Sequence, residues 1–194
     1  MKRVLVIVAH PDDETIWMGG SLLRNKNKWD TEIISLCRKH DKDRAPKFKK
    51  ACKFFNAKSS ISDLNDKDVK PLPVKKIKKR ILQFIKGDYD YIFTHGKNGE
   101  YGHIRHIETH NAVGEMVKEG KLNTKKVFFF AYKKRKNNFQ GYAIYDSTAK
   151  IFIKLDKQEL SLKKKIITEI YGFQKNGFEE KSSAKFEAFE EMKK

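Results

Sequence analysis

Val4-Leu5-Val6-Ile7-Val8-Ala9, followed at once by His10-Pro11-Asp12-Asp13-Glu14, is the stretch on which the fold turns. An unbroken aliphatic and largely β-branched run fits a strand buried on both faces, as in a parallel sheet, rather than a strand with one wet face. The proline and the carboxylates end that strand. Ile16, Gly19, Gly20, Leu22 and Leu23 then fall at helical spacing and predict a helix that begins near Asp13. Each glycine lowers helicity by about 1 kcal/mol relative to alanine, so Gly19-Gly20 is expected to let this helix lie close on the sheet.

Outward from this unit the alternation continues. Thr31 to Cys37 predicts a second strand, and Phe48, Ala51, Cys52 and Phe55 mark the buried stripe of a second helix, with a charged loop from Arg38 to Arg44 between them. Residues 58–73 read as irregular apart from a short strand around Ile61 to Leu64. Val74, Ile77, Ile81, Phe84 and Ile85 form a helical stripe opposite Lys75, Lys76, Lys78, Lys79 and Arg80, closed by Gly87. A strand at Tyr89 to Thr94, a loop from His95 to Gly102, a helix from Ile104 to Glu119 and a strand from Lys126 to Tyr132 follow. The remainder reads as a basic turn at 133–136, an antiparallel pair at 142–145 and 150–155, a helix from Ser161 to Gly172, and a charged, partly helical tail from Phe173. The expectation is one domain over residues 1–194: an α/β, Rossmann-like three-layer sandwich, its mostly parallel sheet flanked by helices, with a small C-terminal antiparallel addition.

Composition agrees with a folded domain. Of 194 residues 39% are apolar and 12% aromatic, enough for a sizeable core despite 35% charged residues. No apolar run approaches the ~20 residues of a membrane span, and the N-terminal stretch lacks a small-residue cleavage site. Two cysteines, Cys37 and Cys52, make neither a metal spacing nor a disulfide scaffold, which points to a reducing, cytoplasmic setting. The net charge of +18 favours anionic partners, yet only 7 of the 43 basic residues are arginine. Lysine is a hydrated point charge rather than a bidentate fork, and neither an RNA-binding aromatic motif nor a helix-turn-helix signal is present; a solvated lysine-rich surface is the reading favoured over a nucleic-acid binder.

Two clusters carry chemistry. One is His10-Pro11-Asp12-Asp13-Glu14 at the end of the first strand. The other is Gly99-Glu100-Tyr101-Gly102-His103-Ile104-Arg105-His106, with His95 before it and His110 a turn beyond. Alone, a His-Pro-Asp turn is more often a plain turn or helix cap, and a helical histidine pair more often a hydrogen-bonded structural feature. Both clusters, however, follow strands of a parallel sheet, whose carboxyl ends share one edge, so they are expected to meet. Two histidines and a carboxylate around an open position suit a hydrolytic metal ion, and spacing ranks neither His103 nor His106 as the ligand.

Ala9-His10-Pro11-Asp12-Asp13-Glu14 and His103-x-x-His106 resemble the two signatures of the LmbE/PIG-L family of zinc-dependent deacetylases. Weaker likeness extends to Gln174, through Arg44 and a Tyr171-Gly-Phe-Gln174 segment. The resemblance implies Zn2+, or another divalent transition metal such as iron or cobalt, on His10, Asp13 and His106. It implies Asp12 as general base toward metal-bound water and His103 as the group that stabilises the tetrahedral intermediate or protonates the leaving amine. It also implies an N-acetylglucosamine-type sugar or its conjugate as substrate, with Arg44, beside Lys39, as a candidate substrate-binding residue. Many relatives carry Pro-Asp between the two histidines where this chain has Ile104-Arg105; an inward-pointing Arg105 would lower the pKa of His103. A metal-dependent phosphoesterase on the same ligands and a non-catalytic nucleic-acid-binding protein are the competing readings.

Overall fold

The computed structural model describes residues 1–68, 70–135 and 141–193. Strand and helix alternate through β1 (Lys2–Val8), α1 (Asp13–Asn25), β2 (Trp29–Cys37), α2 (Arg44–Phe54), β3 (Lys58–Leu64), α3 (Val74–Leu82) and β4 (Tyr89–Thr94). A single turn, α4 (Gly99–Gly102), precedes α5 (Ile104–Lys118) and β5 (Thr124–Phe130). The chain then forms β6 (Tyr132–Lys134), β7 (Ala143–Tyr145), β8 (Ile151–Lys154), α6 (Lys157–Lys165), a π-helical turn at Ile166–Ile170, α7 (Phe178–Ser182) and β9 (Phe186–Glu191).

The main sheet has the order β3-β2-β1-β4-β5-β9-β8, and β6 and β7 form a separate ribbon. The first five strands of that order are mutually parallel, and β9 runs antiparallel to both neighbours. Val4, Val6 and Val8 of β1 face α1, α2 and the π-helical turn, whereas Leu5 and Ile7 face α3 and α5. The unbroken aliphatic run of β1 is thus buried on both sides, and the architecture is the expected mostly parallel α/β sandwich. Among the described residues no helix is long and apolar enough to cross a membrane.

The C-terminal third departs from expectation. Residues 142–145 and 150–155 do not pair with each other: β7 pairs with β6, and β8 pairs with β9. The strand expected at 126–132 ends at Phe130, because the chain leaves the main sheet at Ala131 to start the ribbon. Lys133 and Lys134 therefore lie in β6 rather than a turn, and Lys136 lies outside the described residues. The tail supplies a central strand, β9. Its sequence, Phe-Glu-Ala-Phe-Glu-Glu, hides it, because the inward residue Glu187 is a carboxylate. In the third helix the regular stretch ends at Leu82, before Phe84, and the sixth helix begins four residues earlier than expected, at a capping box of Asp156 and Glu159.

Glu187 explains how its burial is tolerated. Helix α1 breaks at Met18 (φ −145°, ψ 18°), so the backbone N–H groups of Gly20 and Ser21 begin a new turn. Both donate to Glu187, at 2.7 and 2.8 Å, as does the Ser21 hydroxyl at 2.6 Å. The buried Lys163 ammonium completes the set at 2.7 Å. Contrary to expectation, the glycine pair admits the β8–α6 segment rather than the sheet: a Cβ on Gly20 would lie 2.3 Å from Leu155, just before α6, and one on Gly19 would lie 3.3 Å from Lys163 of α6. Glu187→Ala strands a buried ammonium and two backbone donors, and a loss of about 3–5 kcal/mol in urea denaturation is expected. Lys163→Met combined with Glu187→Gln is expected to lose less than Glu187→Ala alone, since no buried charge is then left unpaired.

Candidate active site

Strands β1 and β4 are adjacent, yet the chain leaves β1 for one face of the sheet through α1 and leaves β4 for the other through α5. Such a divergence opens a crevice at the carboxyl ends of the strands. Residues 10–14 enter it from β1, and residues 95–106 enter it from β4. Asp12 adopts φ 118°, a strained conformation for a residue with a Cβ, and both it and Asp13 line one cavity of about 180 Å³. Trp17, Arg38, Arg44, Tyr101, His103 and Phe178 line it too. A larger hollow of about 910 Å³ near the start of β5 is lined mainly by lysines and apolar side chains, with Asn123, Thr124 and Glu191, and contains none of these groups.

His10, Asp13 and His106 converge. Asp13 Oδ2 lies 3.3 Å from His10 Nδ1 and 3.3 Å from His106 Nε2, and those two nitrogens are 3.3 Å apart. Their outer hydrogen bonds set the direction of each lone pair. His106 Nδ1 donates to Glu100 Oε2 at 2.5 Å, leaving Nε2 as the bare nitrogen facing the cluster. His10 Nε2 pairs with Asp66 Oδ1 at 3.1 Å, leaving Nδ1 inward. Asp13 Oδ1 accepts from Trp17 Nε1 at 3.0 Å, which turns Oδ2 toward the histidines, where it also accepts the His10 backbone N–H at 2.8 Å.

Three lone pairs aimed at one another are repulsive without a proton or cation between them. A tetrahedral ion with donors at about 2.0–2.1 Å sets those donors about 3.3–3.4 Å apart, so this donor set fits a divalent metal in both spacing and chemistry. The same attraction acts on protons. Burial opposes charge on His10 and His106, yet Asp13 raises the pKa of both, helped at His10 by Asp66. Burial pushes Asp13 up, but His106 and His95 outweigh it and hold the carboxyl well below the usual range. His95 and His103 also stand nearby. His95 Nε2 already accepts the Ala9 N–H at 2.9 Å, and its ring stacks on His106 at 3.8 Å between centroids.

Asp12 is held differently. Burial, and then the Asp13 charge, raise its pKa well above the usual carboxyl range, against the pull of Arg44. The Arg44 guanidinium pairs with Asp12 Oδ2 and lies 4.4 Å from the centre of the Phe173 ring. Lys39 lines a neighbouring crevice instead. His103 caps α5: its Nδ1 accepts the Arg105 N–H at 3.2 Å, so the neutral ring carries its proton on Nε2. Burial, reinforced by His106 and His10, lowers its pKa to about 4. Arg105 is not the cause, because its guanidinium points away from the cavity to the backbone after β3. His110 pairs through Nδ1 with the His95 carbonyl at 2.9 Å and stands outside the cavity.

Several supporting residues had no role in the sequence reading. Glu100, fully buried, accepts from His95 Nδ1 at 2.9 Å, from His106 and from the Gly96 N–H at 2.7 Å. Burial pushes it up, but the two imidazoles hold it at about 2. The position of Asp66 just beyond a parallel strand is a usable signal; Tyr101 stands within the second cluster, and nothing local marks Trp17 or Phe178. Glu14 accepts from the Thr15 and Tyr171 hydroxyls, both at 2.6 Å, and from the Asp12 N–H at 3.1 Å, although burial still raises its pKa to about 7.

A family model described as PIG-L, GlcNAc-PI de-N-acetylase, matches residues 5–117. No curated protein sequence matches the chain. Among solved structures, a conserved protein from Thermus thermophilus superposes with a TM-score of 0.69 at 16% identity, covering 98% of this chain and 94% of that one. The N,N'-diacetylchitobiose deacetylase of Pyrococcus horikoshii gives 0.70 at 17% identity, over 98% and 84% of the two chains. The 4-carboxy-2-hydroxymuconate hydratase of Pseudomonas putida gives 0.66 at 13%, over 100% and 97%. Likeness at these identities establishes the fold.

The depressed pKa of Glu100 makes stability depend on pH. Its ionised form is the one the fold stabilises, so its contribution is present above pH 4.5 and is lost as pH falls toward 2. Urea titrations from pH 7 down to 3 are expected to show wild type ahead of Glu100→Gln by about 3 kcal/mol at neutral pH, with the gap closing in acid.

Proposed function

The chain belongs to the PIG-L family of GlcNAc-PI de-N-acetylases, and on that footing we propose that it is a zinc-dependent hydrolase that removes the acetyl group from an N-acetylglucosamine-type sugar or its conjugate. The observation that carries this reading is the triangle of His10 Nδ1, Asp13 Oδ2 and His106 Nε2, 3.3 Å on each side. These three residues would hold the ion, and iron or cobalt would suit the same donors. When bound, the ion supplies a Lewis acid and makes water more acidic.

The chain's own groups do the rest. Asp12, raised in pKa and steadied by Arg44, takes the proton of the attacking water as oxygen adds to the amide carbon. His103 faces the cavity with Nε2–H and is neutral above about pH 4, so it donates a hydrogen bond to the developing oxyanion rather than a proton. The proton collected by Asp12 then passes to the departing amine. Tyr101 and Phe178, packed edge to face at 4.8 Å, offer an apolar wall for a sugar face. Arg44 closes the other side, where its guanidinium, while paired with Asp12, stands as the candidate contact for substrate hydroxyls. The substrate is a small molecule or glycoconjugate rather than nucleic acid, and the free, buried Cys37 and Cys52 accord with a cytoplasmic setting.

Acetate release from a panel of N-acetyl sugars by zinc-loaded protein tests this. Turnover is expected to vanish with chelator and in His10→Ala, and Asp12→Asn is expected to lower kcat by about 100- to 10,000-fold. Phosphate release from phosphoesters with no acetate from any amide would overturn the proposal.

A further inference from the structure

Arg105 is a charged side chain only 1% exposed that the chemistry above does not use. Its guanidinium is spent on three main-chain carbonyls and one carboxylate. Nε donates to the carbonyl of Asn65, and NH2 donates to those of Asp68 and Lys70, all at 2.9 Å. NH1 pairs with Glu108 Oε2 at 2.7 Å, and Glu108 Oε1 accepts the Leu72 N–H at 2.6 Å. One turn of α5 thereby fastens the segment after β3 at four backbone positions.

That segment carries Asp66. One oxygen of Asp66 meets His10 Nε2 at 3.1 Å; the other is held by Arg38 at 2.9 and 2.7 Å. We propose that Arg105 is a positioning residue for the metal centre: by fixing the backbone around Asp66 it sets the tautomer and ring angle of His10, so that Nδ1 faces Asp13 and His106. The inference rests on the metal-site reading of the proposed function. Physically, a histidine ligand must keep its proton on the outer nitrogen, and a carboxylate there secures both the tautomer and the ring plane. Such a carboxylate on irregular chain is only as well placed as its backbone. A planar fork with five donors binds three carbonyls and the Glu108 carboxylate at once, one acceptor more than the three donors of a lysine ammonium can serve. The same α5 turn thus serves both histidines: His106 is its own ligand, and the residue before it steers His10 from the opposite side.

The test is Zn2+ affinity of the full chain, measured by competition with a chromophoric chelator, beside the melting temperature. Arg105→Met and Asp66→Ala are each expected to weaken Zn2+ binding about 10- to 100-fold. Because both act along one path, the double variant is expected to bind about as weakly as the worse single one. Arg105→Lys keeps the charge without the fork and is expected to lose a similar factor; it decides the matter should Arg105→Met not fold. Ile81→Ala, a core truncation under α3, is expected to lower the melting temperature with affinity unchanged. Folded Arg105 variants that bind Zn2+ as wild type does, or losses that multiply in the double variant, overturn the inference and leave the proposed function standing. A wild-type chain that binds no Zn2+ removes both.

Discussion

Four carboxylates, Asp12, Asp13, Glu14 and Glu100, are buried, and two of them, Asp13 and Glu100, face the fully buried imidazoles of His95 and His106; the rest of the structure is arranged around that charge. An unpaired buried charge costs several kcal/mol, so every oxygen must be answered by a donor or a cation. Glu100 is answered by His95, His106 and Gly96; Glu14 by Thr15, Tyr171 and the Asp12 N–H. Asp13 is the exception that matters. Its Oδ1 is satisfied by Trp17, while its Oδ2, beyond the His10 N–H it accepts, faces two nitrogens whose outer protons are already given away. The network therefore concentrates its remaining demand for positive charge at one point, and that point is the proposed metal position.

The sheet supplies the rigidity such a network requires. Its order brings the ends of β1 and β4 together while their helices diverge, so groups about ninety residues apart in sequence approach within hydrogen-bonding distance. Register contributes as well: Ile7 of β1 lies opposite Thr94 of β4, and the Thr94 hydroxyl bonds the Ile7 carbonyl at 2.8 Å. The next residue, His95, then receives the Ala9 N–H. A cross-strand contact thus continues as a side-chain contact at the point where both strands end, and the loops leave the sheet from fixed positions.

The parallel half of the fold was legible because its strands are aliphatic and its helices amphipathic, the two patterns that burial on a sheet imposes. The candidate site was legible in part because two polar clusters follow buried parallel strands whose ends share one edge, so that they meet even though each alone reads more readily as a turn or cap. What escaped notice follows the same logic. Glu187 makes β9 look like a solvated tail, and only the break of α1 at Met18 reveals why a carboxylate belongs there. Asp66, Trp17 and Glu100 act through hydrogen bonds to other side chains, and such partnerships have no period along the chain. The glycine pair was read as a close approach; it is one, but toward Leu155 and Lys163, which no pattern near residue 20 specifies.

The division of labour along the chain bears on selectivity. The segment that carries the family match ends at residue 117 and contains every group of the proposed metal centre, the proposed general base Asp12 and the proposed oxyanion donor His103. Phe178 and Glu179, by contrast, reach the cavity from beyond it, while Phe173 packs under Arg44 and Tyr171 bonds Glu14 from behind the lining. Tyr132, also from beyond it, donates to the Trp17 carbonyl freed by the break in α1 and packs against that ring at 4.9 Å. The C-terminal third thus does two things at once. It fills the sheet through β9 and it shapes the cavity wall through α7. A fold shared with enzymes of other reactions leaves chemistry to the side chains at the strand ends. In this chain those side chains lie in the first 117 residues, and the remainder adds Phe178 and Glu179 to the cavity wall.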